Sequence, residues 1–501
     1  MARKVFLDYV WKYCLEPQLG YSFSINHTLP YSIVAVQEAN LATRWDPLYW
    51  QCACLCVNAG NYVGDIGDDG DDSVSETEDM ATEDAEGEEK RGAKSAPNYG
   101  KIAKAIADAQ LSGVQIGLPD INEAQIDFVP DTKNRKILYS IQAVNVVGAD
   151  LLARILDNRP YSGIKDFITK VAPTTAQMIG LIKAGSFDRL CSKPRQQIMQ
   201  QYLQYLADEE FPLKDKLTSV QIKKALELGI DLPDFRTEIR IFRFRQYITK
   251  HQLNAAEKRY VLNEEACLKF FNGFIAPHMN LSKSEYEYLP GGAIGIKQTV
   301  FERVYNKLIA RLVEYMNTED GRHAFQNLVQ TDFINTLREK YCQGSISKWE
   351  FDTMSFYYSG HELAHLNRGV YNVQDFNTLP ETSASKELCA IAGTVTDTNN
   401  IRHTVSVLTT SGVVDVKFYA GAYAQFNQKI SAIDSDTKKK TTIDDSWFKR
   451  GNKLLIYGQR RENMFCCKAL REPGRAPRFV GLIENIRADG TLDVRYQRKK
   501  E

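Results

Sequence analysis

The sequence His361-Glu-Leu-Ala-His365 has the spacing with which zinc hydrolases hold their metal. On a helix this spacing places two imidazoles on one face to bind zinc, and Glu362 would act as the general base for a metal-bound water. Glu381 or Glu387 could supply a third ligand. A glycine directly precedes the first histidine, so such a helix would be short. A zinc-dependent hydrolase is one alternative, and a chance pattern is the other.

Two stretches, residues 143–159 and 164–190, have the pattern of helix-hairpin-helix units. In such a unit, glycines let backbone N–H groups at a helix start approach a phosphate, where the helix dipole favours an anion. Val146 stands where the first hairpin glycine is usual, and the spacing fits plain helix packing as well as DNA contact. The predicted phosphate-binding residues are Val147, Gly148, Lys165, Lys183 and Gly185.

From about residue 388 the hydrophobic pattern changes to a period of two, in short runs separated by turn residues. Such alternation predicts a small all-β barrel or sandwich. Barrels of this kind bind single-stranded nucleic acid by combining a basic groove with aromatic side chains on which bases stack. Arg402, Lys417 and Tyr419 are the predicted contacts, although each alone fits an ordinary surface residue.

The 501-residue chain carries 63 basic and 63 acidic residues, but this balance conceals an asymmetry. Residues 65–89 contain 13 acidic residues and no basic one, and without them the net charge would be +13. A basic body suits a nucleic-acid-binding protein, although a solvated linker in a near-neutral protein fits the same count. We expect residues 61–98 to form an acidic linker, because they have too few apolar side chains to bury.

The composition, with 43% hydrophobic and 25% charged residues, is that of a soluble globular protein. No stretch approaches the roughly 20 apolar residues that span a bilayer, and the first residues lack a secretory signal. We therefore expect a cytoplasmic protein without a membrane segment. Cys52, Cys54 and Cys56 alternate too tightly for a structural zinc site, so we expect them to pack as small apolar side chains without disulfides.

The order of predicted elements indicates a multidomain α+β protein, helical in its N-terminal and middle regions and ending in an OB-like β-barrel. A hairpin or a single strand is predicted within residues 128–147. In chain order the predicted parts are a helical region (1–60), the acidic linker (61–98), a tandem helix-hairpin-helix domain (99–206), a helical region without an assigned role (207–375), the barrel (385–470) and a β-rich basic tail (471–501).

Four segments follow one another in the order and at the approximate spacing of a known family. They are residues 20–37 (GYSFSINHTLPYSIVAVQ), 113–128 (GVQIGLPDINEAQIDF), 181–188 (LIKAGSFD) and 354–361 (MSFYYSGH). These resemble the fingers motif, the Leu-Pro-Pro-Asp-Ile-Asn-Glu-Ser run, the segment after the helix-hairpin-helix pair and the segment before the barrel in the bacterial DNA polymerase III alpha subunit. The chain thus looks like the carboxy-terminal half of a C-family replicative polymerase.

For the fingers segment, the resemblance implies that Tyr21, His27 and Tyr31 contact the incoming nucleotide. Ile25 replaces the family's lysine, which implies a weakened contact or one moved to another chain. Directly after the last segment, Glu362 stands where the family has proline, which favours a chance origin of the zinc pattern.

The family also carries a short sliding-clamp-binding peptide after its helix-hairpin-helix region. Residues 330–334 (QTDFI) are the candidate here, with Gln330, Phe333 and Ile334 as the contacts, and a surface helix end is the alternative.

The family's phosphatase-like domain, palm and thumb precede the fingers motif, which begins about 20 residues after Met1. Polymerisation needs palm carboxylates that hold two Mg²⁺ ions. The resemblance therefore implies a split polymerase: this chain would hold no catalytic residue, metal or cofactor, bind duplex and single-stranded DNA, and dock to a palm-bearing subunit that holds Mg²⁺. A bacterial or phage-infected cell is the expected setting, and a non-catalytic DNA-binding replication accessory protein is the alternative.

Overall fold

The computed structural model describes residues 2–12, 16, 25–60, 97–279, 286–380, 388–433, 440–474 and 476–499. The chain divides into two compact units, the first formed by residues 1–198 and 344–501 and the second by residues 199–343. The boundary between them falls within a helix, a few residues before the predicted division at 206/207.

Helices dominate the described chain up to residue 371, and one further helix, α17, lies within the barrel region. In chain order they are α1 (Ala2–Val10), α2 (Ile25–Arg44), α3 (Pro47–Asn58), α4 (Tyr99–Leu111), α5 (Ala149–Asp157), α6 (Ile164–Val171), α7 (Thr175–Lys183), α8 (Asp188–Cys191), α9 (Arg195–Glu210), α10 (Ser219–Glu227), α11 (Arg236–His251), α12 (Glu265–Phe274), α13 (Gln298–Met316), α14 (Glu319–Tyr341), α15 (Ile346–Met354), α16 (Arg368–Tyr371) and α17 (Ala420–Asn427).

The described strands form four sheets. They are β1 (Gln115–Gly117), β2 (Val129–Asp131), β3 (Lys136–Leu138), β4 (Leu253–Asn254), β5 (Arg259–Leu262), β6 (Tyr286–Tyr288), β7 (Ile294–Lys297), β8 (Cys389–Asn399), β9 (Thr404–Thr409), β10 (Gly412–Lys417), β11 (Ile430–Ile433), β12 (Lys440–Asp444), β13 (Lys453–Arg461), β14 (Met464–Cys467), β15 (Val480–Ile486) and β16 (Leu492–Arg495).

The helix-hairpin-helix region contains α5 to α7. Its helices form because apolar side chains recur at helical spacing, as with the buried Leu151, Leu152 and Ile155 of α5. A capping box starts α7: the Thr174 hydroxyl accepts from the Gln177 amide, and the Gln177 side chain accepts from the Thr174 amide. The hairpin predicted before them is confirmed as the antiparallel pair β2 and β3.

The predicted barrel is confirmed, and its strand order is that of an OB fold. The strands pair in the cycle β8, β9, β10, β14, β13 and back to β8. All of these pairs are antiparallel except β10 with β14, which is parallel. Alternate side chains point inward, and Val395, Val407, Val416 and Phe465 meet in the barrel core. In the tail that follows, β15 and β16 form a hairpin that pairs with β13.

In the second unit, α10 to α14 accompany an antiparallel sheet with the order β4-β5-β7-β6. The helices were predicted, but the sheet was not. Its strands have only two to four residues, too few for the period of two to stand out. One core of aromatic and aliphatic side chains joins sheet and helices, among them Tyr260, Phe271, Ile296 and Phe301.

The described ranges contain no helix that is both long and apolar enough to cross a membrane. Nine cysteines are described, and all nine are free. Cys52 is buried, as predicted, whereas Cys54 and Cys56 are half-buried.

Removing residues 61–96 should not lower the unfolding midpoint of the protein. The segment leaves after α3 and returns before α4, and the Asn98 amide donates to the Asn58 carbonyl at 2.9 Å. A Gly-Ser-Gly-Ser linker can therefore replace it without pulling the two helices apart. Urea unfolding checks this, with a Gly/Ser segment of the original length as the control. A lower midpoint for both variants would mean that the acidic segment itself packs on the fold.

Candidate nucleic-acid interface

One end of the barrel gathers the three side chains predicted to contact single strands. Arg402 lies in the turn between β8 and β9, and Lys417 ends β10. The Lys417 ammonium donates to the Arg402 carbonyl, and the Phe418 amide donates to the His403 carbonyl at 2.9 Å. Tyr419 follows Phe418 and is the N-cap residue of α17. Two segments of different strands thus bring two cations and an aromatic ring to the same end.

Hydrogen bonds from α17 hold the β8–β9 turn. The Asn400 carboxamide oxygen accepts from the Tyr423 hydroxyl at 2.7 Å and from Asn427 Nδ2 at 3.0 Å. On the outer surface, 76% of Ile401 and 65% of Tyr419 are exposed. The fixed turn carries the exposed Arg402, and the neighbouring segment at the end of β10 carries the exposed Lys417 and Tyr419. Cations and an open aromatic ring at one end of a barrel have the chemistry of a phosphate-binding and base-stacking surface.

The outer surface of the second and third barrel strands, β9 and β10, is covered in part by α4. Ala107 packs with Leu408, and Lys104 Nζ lies 3.5 Å from an Asp415 carboxylate oxygen. In OB folds this strand surface and the adjoining loops usually bind oligonucleotides. Because α4 occupies part of it, the turn carrying Arg402 is the more open surface for a strand.

The starts of α5 and α6 keep two predicted phosphate contacts exposed. Gly148 immediately precedes α5, where a Cβ would meet nothing within 4 Å, and Lys165 is exposed on α6. Each start also carries a carboxylate in its first turn, Asp150 in α5 and Asp166 in α6. These charges oppose an approaching phosphate, so the exposed lysine and the backbone amides must outweigh them.

The other three predicted contacts lie in packing positions. Val147 is buried. Lys183 Nζ lies over the Trp349 ring at 5.9 Å from its centroid. Gly185 is buried just after the C-terminal end of α7 at φ +80°, and its amide donates to the Ile182 carbonyl. That amide is therefore engaged at the negative end of a helix dipole, where a phosphate is not favoured.

Val146, which replaces the usual hairpin glycine, packs against a glycine of α7. A Cβ built on the buried Gly180 would lie 2.5 Å from Val146 Cγ1 and 3.0 Å from Val146 Cβ. Because valine is stiff at χ1, it cannot turn away from a new methyl group. Gly180 therefore leaves the space that the Val146 side chain occupies.

A Gly180→Ala variant should lose about 1–3 kcal/mol of unfolding free energy through overpacking. Adding Val146→Gly should restore much of that loss, because it removes the side chain that the new methyl group meets. Urea unfolding of the two single variants and the double variant measures the coupling. Additive losses would mean that the two residues do not share this contact.

A buried ionic network joins the helix-hairpin-helix region to the segment before the barrel. The guanidinium of Arg195 contacts a carboxylate oxygen of Asp188 and one of Glu350, each at 2.7 Å. Glu350 also accepts from the amides of Tyr358 and Ser359 and from the Ser359 hydroxyl. Burial raises the pKa of the Asp188 carboxyl, and Arg195 partly offsets that rise.

The Asp120-Ile-Asn122 run fixes two loops of the same region. The Asn122 carboxamide donates to the Tyr161 carbonyl at 3.0 Å and accepts from the Tyr161 amide at 2.8 Å. The Ile121 amide donates to the Ser186 carbonyl at 2.9 Å. This run therefore connects the loop before α6 with the loop after α7, a positioning role that sequence spacing alone did not reveal.

The residues of the zinc pattern form a turn. His361 Nδ1 accepts from the Leu363 amide, so Nε2 carries the proton and donates to the Leu408 carbonyl at 2.9 Å. Burial lowers the pKa of His361, which favours this neutral form. Glu362 contacts Lys453 at 3.2 Å, and His365 is exposed. The helix required by the zinc hypothesis is absent from this described segment, and both nitrogens of His361 are engaged.

The remaining predicted contacts lie elsewhere. Tyr21 falls outside the described residues, as do Glu381 and Glu387, and the side chain of His27 is not described. Tyr31 is exposed on α2.

The predicted clamp-binding peptide lies within α14. Gln330 is buried and donates to the carbonyls of Ala207 and Phe211, and the Phe333 ring packs edge-on against Phe211. Ile334 is half-buried. In this helix the Gln330 side chain is unavailable to a partner.

Within the described ranges, no three His, Cys, Asp or Glu side chains lie close enough together to hold a metal ion. The described site therefore consists of cations, an aromatic ring and exposed helix starts.

Comparison with known proteins identifies both the region and its relatives. A family model described as "Helix-hairpin-helix motif" matches residues 113–198. The chain is 33% identical over 486 residues to "Probable DNA polymerase YorL" of Bacillus subtilis (strain 168) and to "DNA-directed DNA polymerase" of Bacillus phage SPbeta. The match covers 93% of the chain but 34% of each relative, so the chain spans about a third of their length.

A further relative, the DNA polymerase III subunit alpha of Saccharopolyspora erythraea, is 28% identical over 191 residues, which are 37% of the chain and 13% of that protein. The resemblance carried by the four segments is thereby confirmed: the chain is related to the carboxy-terminal half of the C-family DNA polymerases.

Proposed function

We propose that these residues form the DNA-binding part of a C-family DNA polymerase and act with palm carboxylates, outside these 501 residues, that hold Mg²⁺. The similarity to DNA polymerases over 93% of the chain supports the polymerase assignment. The helix-hairpin-helix match supports DNA as the ligand. In this role the chain positions primer and template, and the chemistry of two-metal phosphoryl transfer takes place on the palm.

The observation that carries the proposal is the meeting of Arg402, Lys417 and Tyr419 at one open end of the barrel. The two cations bind phosphates of the single-stranded template, and the exposed Tyr419 ring stacks on a base. The exposed starts of α5 and α6, with Gly148 and Lys165, contact the duplex backbone. Lys183 and Gly185 act as positioning residues for this region.

The N-terminal helices supply the docking surface for the palm-bearing region. Of the 24 large hydrophobic residues exposed in the described chain, 15 lie within the first 60 residues, including Phe6, Trp11, Val36 and Trp45. Apolar exposure of this extent marks a surface that packs against another protein surface. We assign that partner to a separate palm-bearing subunit, in line with the expectation from the sequence.

DNA binding should fall steeply with salt, because phosphate contacts release counterions. Fluorescence anisotropy with a labelled oligo-dT and with a primer-template duplex measures the affinity between roughly 50 and 200 mM salt. An affinity that does not change over this range would contradict phosphate contact.

Purification of the tagged chain from its native cells tests the docking. A stoichiometric partner with a palm, followed by primer extension with the reconstituted pair, would support a split polymerase. A chain that binds DNA but retains no partner would favour the non-catalytic accessory protein instead.

A further inference from the structure

The second unit contains a preformed apolar groove between α10, α14 and the loop that follows α9. The groove has a volume of about 410 Å³. Phe325 and Val329 of α14 form its buried floor, and Phe211, Phe333 and Val220 form its sides. Val220 is 75% exposed, although it is an aliphatic residue in the first turn of a helix. An open apolar surface of this shape is typical of a site that receives apolar side chains.

Hydrogen bonds fix the loop that forms one wall of the groove. Gln326 and Gln330 of α14 both donate to the Phe211 carbonyl at 3.1 Å. Arg322 Nη1 donates to the Asp215 carbonyl at 2.9 Å. The polar side chains of α14 therefore hold the groove open. Binding of a ligand would cost little conformational entropy, because the loop is already ordered.

The rim of the groove is basic. Lys214, Lys224 and Arg322 line it, and the one acidic residue among its described lining residues is Asp332, whose carboxylate lies 3.6 Å from Lys224 Nζ. Three cations around an apolar floor complement a ligand that has apolar side chains flanked by carboxylates. A ligand that is only apolar would leave the net positive charge of the rim uncompensated. A nucleic-acid strand could not stack its bases on the Phe325 ring, because that ring is buried in the floor.

We propose that this groove is a docking site for a short acidic peptide segment of a partner protein, with one or two large apolar side chains seated on Phe325 and Val329. The peptide carboxylates contact Lys214, Lys224 and Arg322.

The match to the phage SPbeta polymerase covers 93% of the chain. The unmatched 7% is much smaller than the second unit, so most of this unit has a counterpart in that relative. The segment 330–334, predicted as a clamp-binding peptide, thus contributes Phe333 to the receptor side of a peptide site.

Fluorescence anisotropy with the full chain and a fluorescein-labelled Asp-Glu-Asp-Phe-Asp-Leu peptide tests the proposal. Two further peptides, one with alanine in place of phenylalanine and leucine and one with amides in place of the carboxylates, separate the apolar and charged contributions. We expect saturable binding of the first peptide and at least tenfold weaker binding of the other two.

Two neighbouring lysines of α10 provide a matched pair of variants. Lys224→Glu reverses a charge on the rim, whereas Lys223→Glu makes the same change outside the groove. Lys224→Glu should weaken the peptide about tenfold, as expected for loss of about 1.4 kcal/mol, and Lys223→Glu should leave it within about twofold. Val220→Asp, at an exposed position, should also weaken binding about tenfold by placing a carboxylate on the apolar wall.

Equal effects of Lys223→Glu and Lys224→Glu, or no saturable binding of the acidic peptide, would overturn the proposal. Two other results would overturn it in favour of a different occupant. If oligo-dT displaced the peptide, and Lys224→Glu weakened the binding of oligo-dT as well, the groove would be assigned to nucleic acid. A dimer that dissociates in Val220→Asp would assign it to a second copy of the chain.

Discussion

A Glu350→Ala variant should lose about 3–5 kcal/mol of unfolding free energy. Glu350 is fully buried, and its two carboxylate oxygens accept from Arg195, from the amides of Tyr358 and Ser359 and from the Ser359 hydroxyl. Without the carboxylate, the Arg195 guanidinium keeps Asp188 but loses its second buried partner, and two backbone amides lose their acceptor. Breaking a buried pair in this way is costly because the remaining charge stays out of water. Urea unfolding followed by tryptophan fluorescence measures the loss.

Asp352→Ala, in the same helix, is the matched control. Asp352 lies about a third exposed beside Lys348 at 3.1 Å, so its removal should cost less than about 1 kcal/mol. The triple variant Asp188→Asn, Arg195→Met and Glu350→Leu should lose less than Glu350→Ala alone, because no charge of the network remains unpaired. If Glu350→Ala and Asp352→Ala had equal effects, the network would not hold the two regions together.

This network explains why two of the family-like segments lie where they do. Asp188 ends the segment 181–188, and Ser359 belongs to the segment 354–361. Both contact the same Arg195–Glu350 pair. The two segments therefore hold the helix-hairpin-helix region against the segment before the barrel. Sequence similarity located them, but only the structure shows what they do.

The barrel was predictable because its signal is local. Alternating apolar residues in β8, β9, β10 and β13 predicted strands, and turn residues between them predicted a small barrel. The parallel pairing of β10 with β14 closes the barrel across about 50 residues of sequence, and no local pattern encodes that contact. The sequence indicated Arg402 and Lys417 only as residue types that suit nucleic-acid binding. That both lie at the same end of the barrel depends on the register of the strands, which the sequence does not show.

Contacts between distant segments were not predictable. The amphipathic pattern of α4 shows that one face is buried, but it does not show that the barrel strands cover that face. Arg195 and Glu350 were missed for a related reason. Charged side chains are mostly exposed, so a fully buried pair has no distinguishing sequence signal. Gly185 was assigned to phosphate binding because the hairpin pattern does not show that it packs beside the buried Arg195 guanidinium.

The combined variant Arg402→Glu, Lys417→Glu and Tyr419→Ala should bind oligo-dT about 100-fold more weakly than the unchanged protein. Stacking of one base on an aromatic ring contributes about 1–3 kcal/mol, which is the expected loss for Tyr419→Ala alone. The two charge reversals remove phosphate contacts, so the slope of log affinity against log salt should become shallower by about 0.7 for each contact. All three side chains are exposed, so the unfolding midpoint should change little.

The matched control for this end of the barrel is Arg461→Glu. Arg461 is exposed and ends β13, at the opposite end of the β8–β13 pair from the turn that carries Arg402. If binding depends on the meeting of Arg402, Lys417 and Tyr419, Arg461→Glu should change the affinity far less than Arg402→Glu does. Equal losses would mean that oligo-dT responds to the total charge of the barrel. In that case Tyr419→Ala should also have no effect, because a strand held only by long-range attraction does not need a base to stack on that ring.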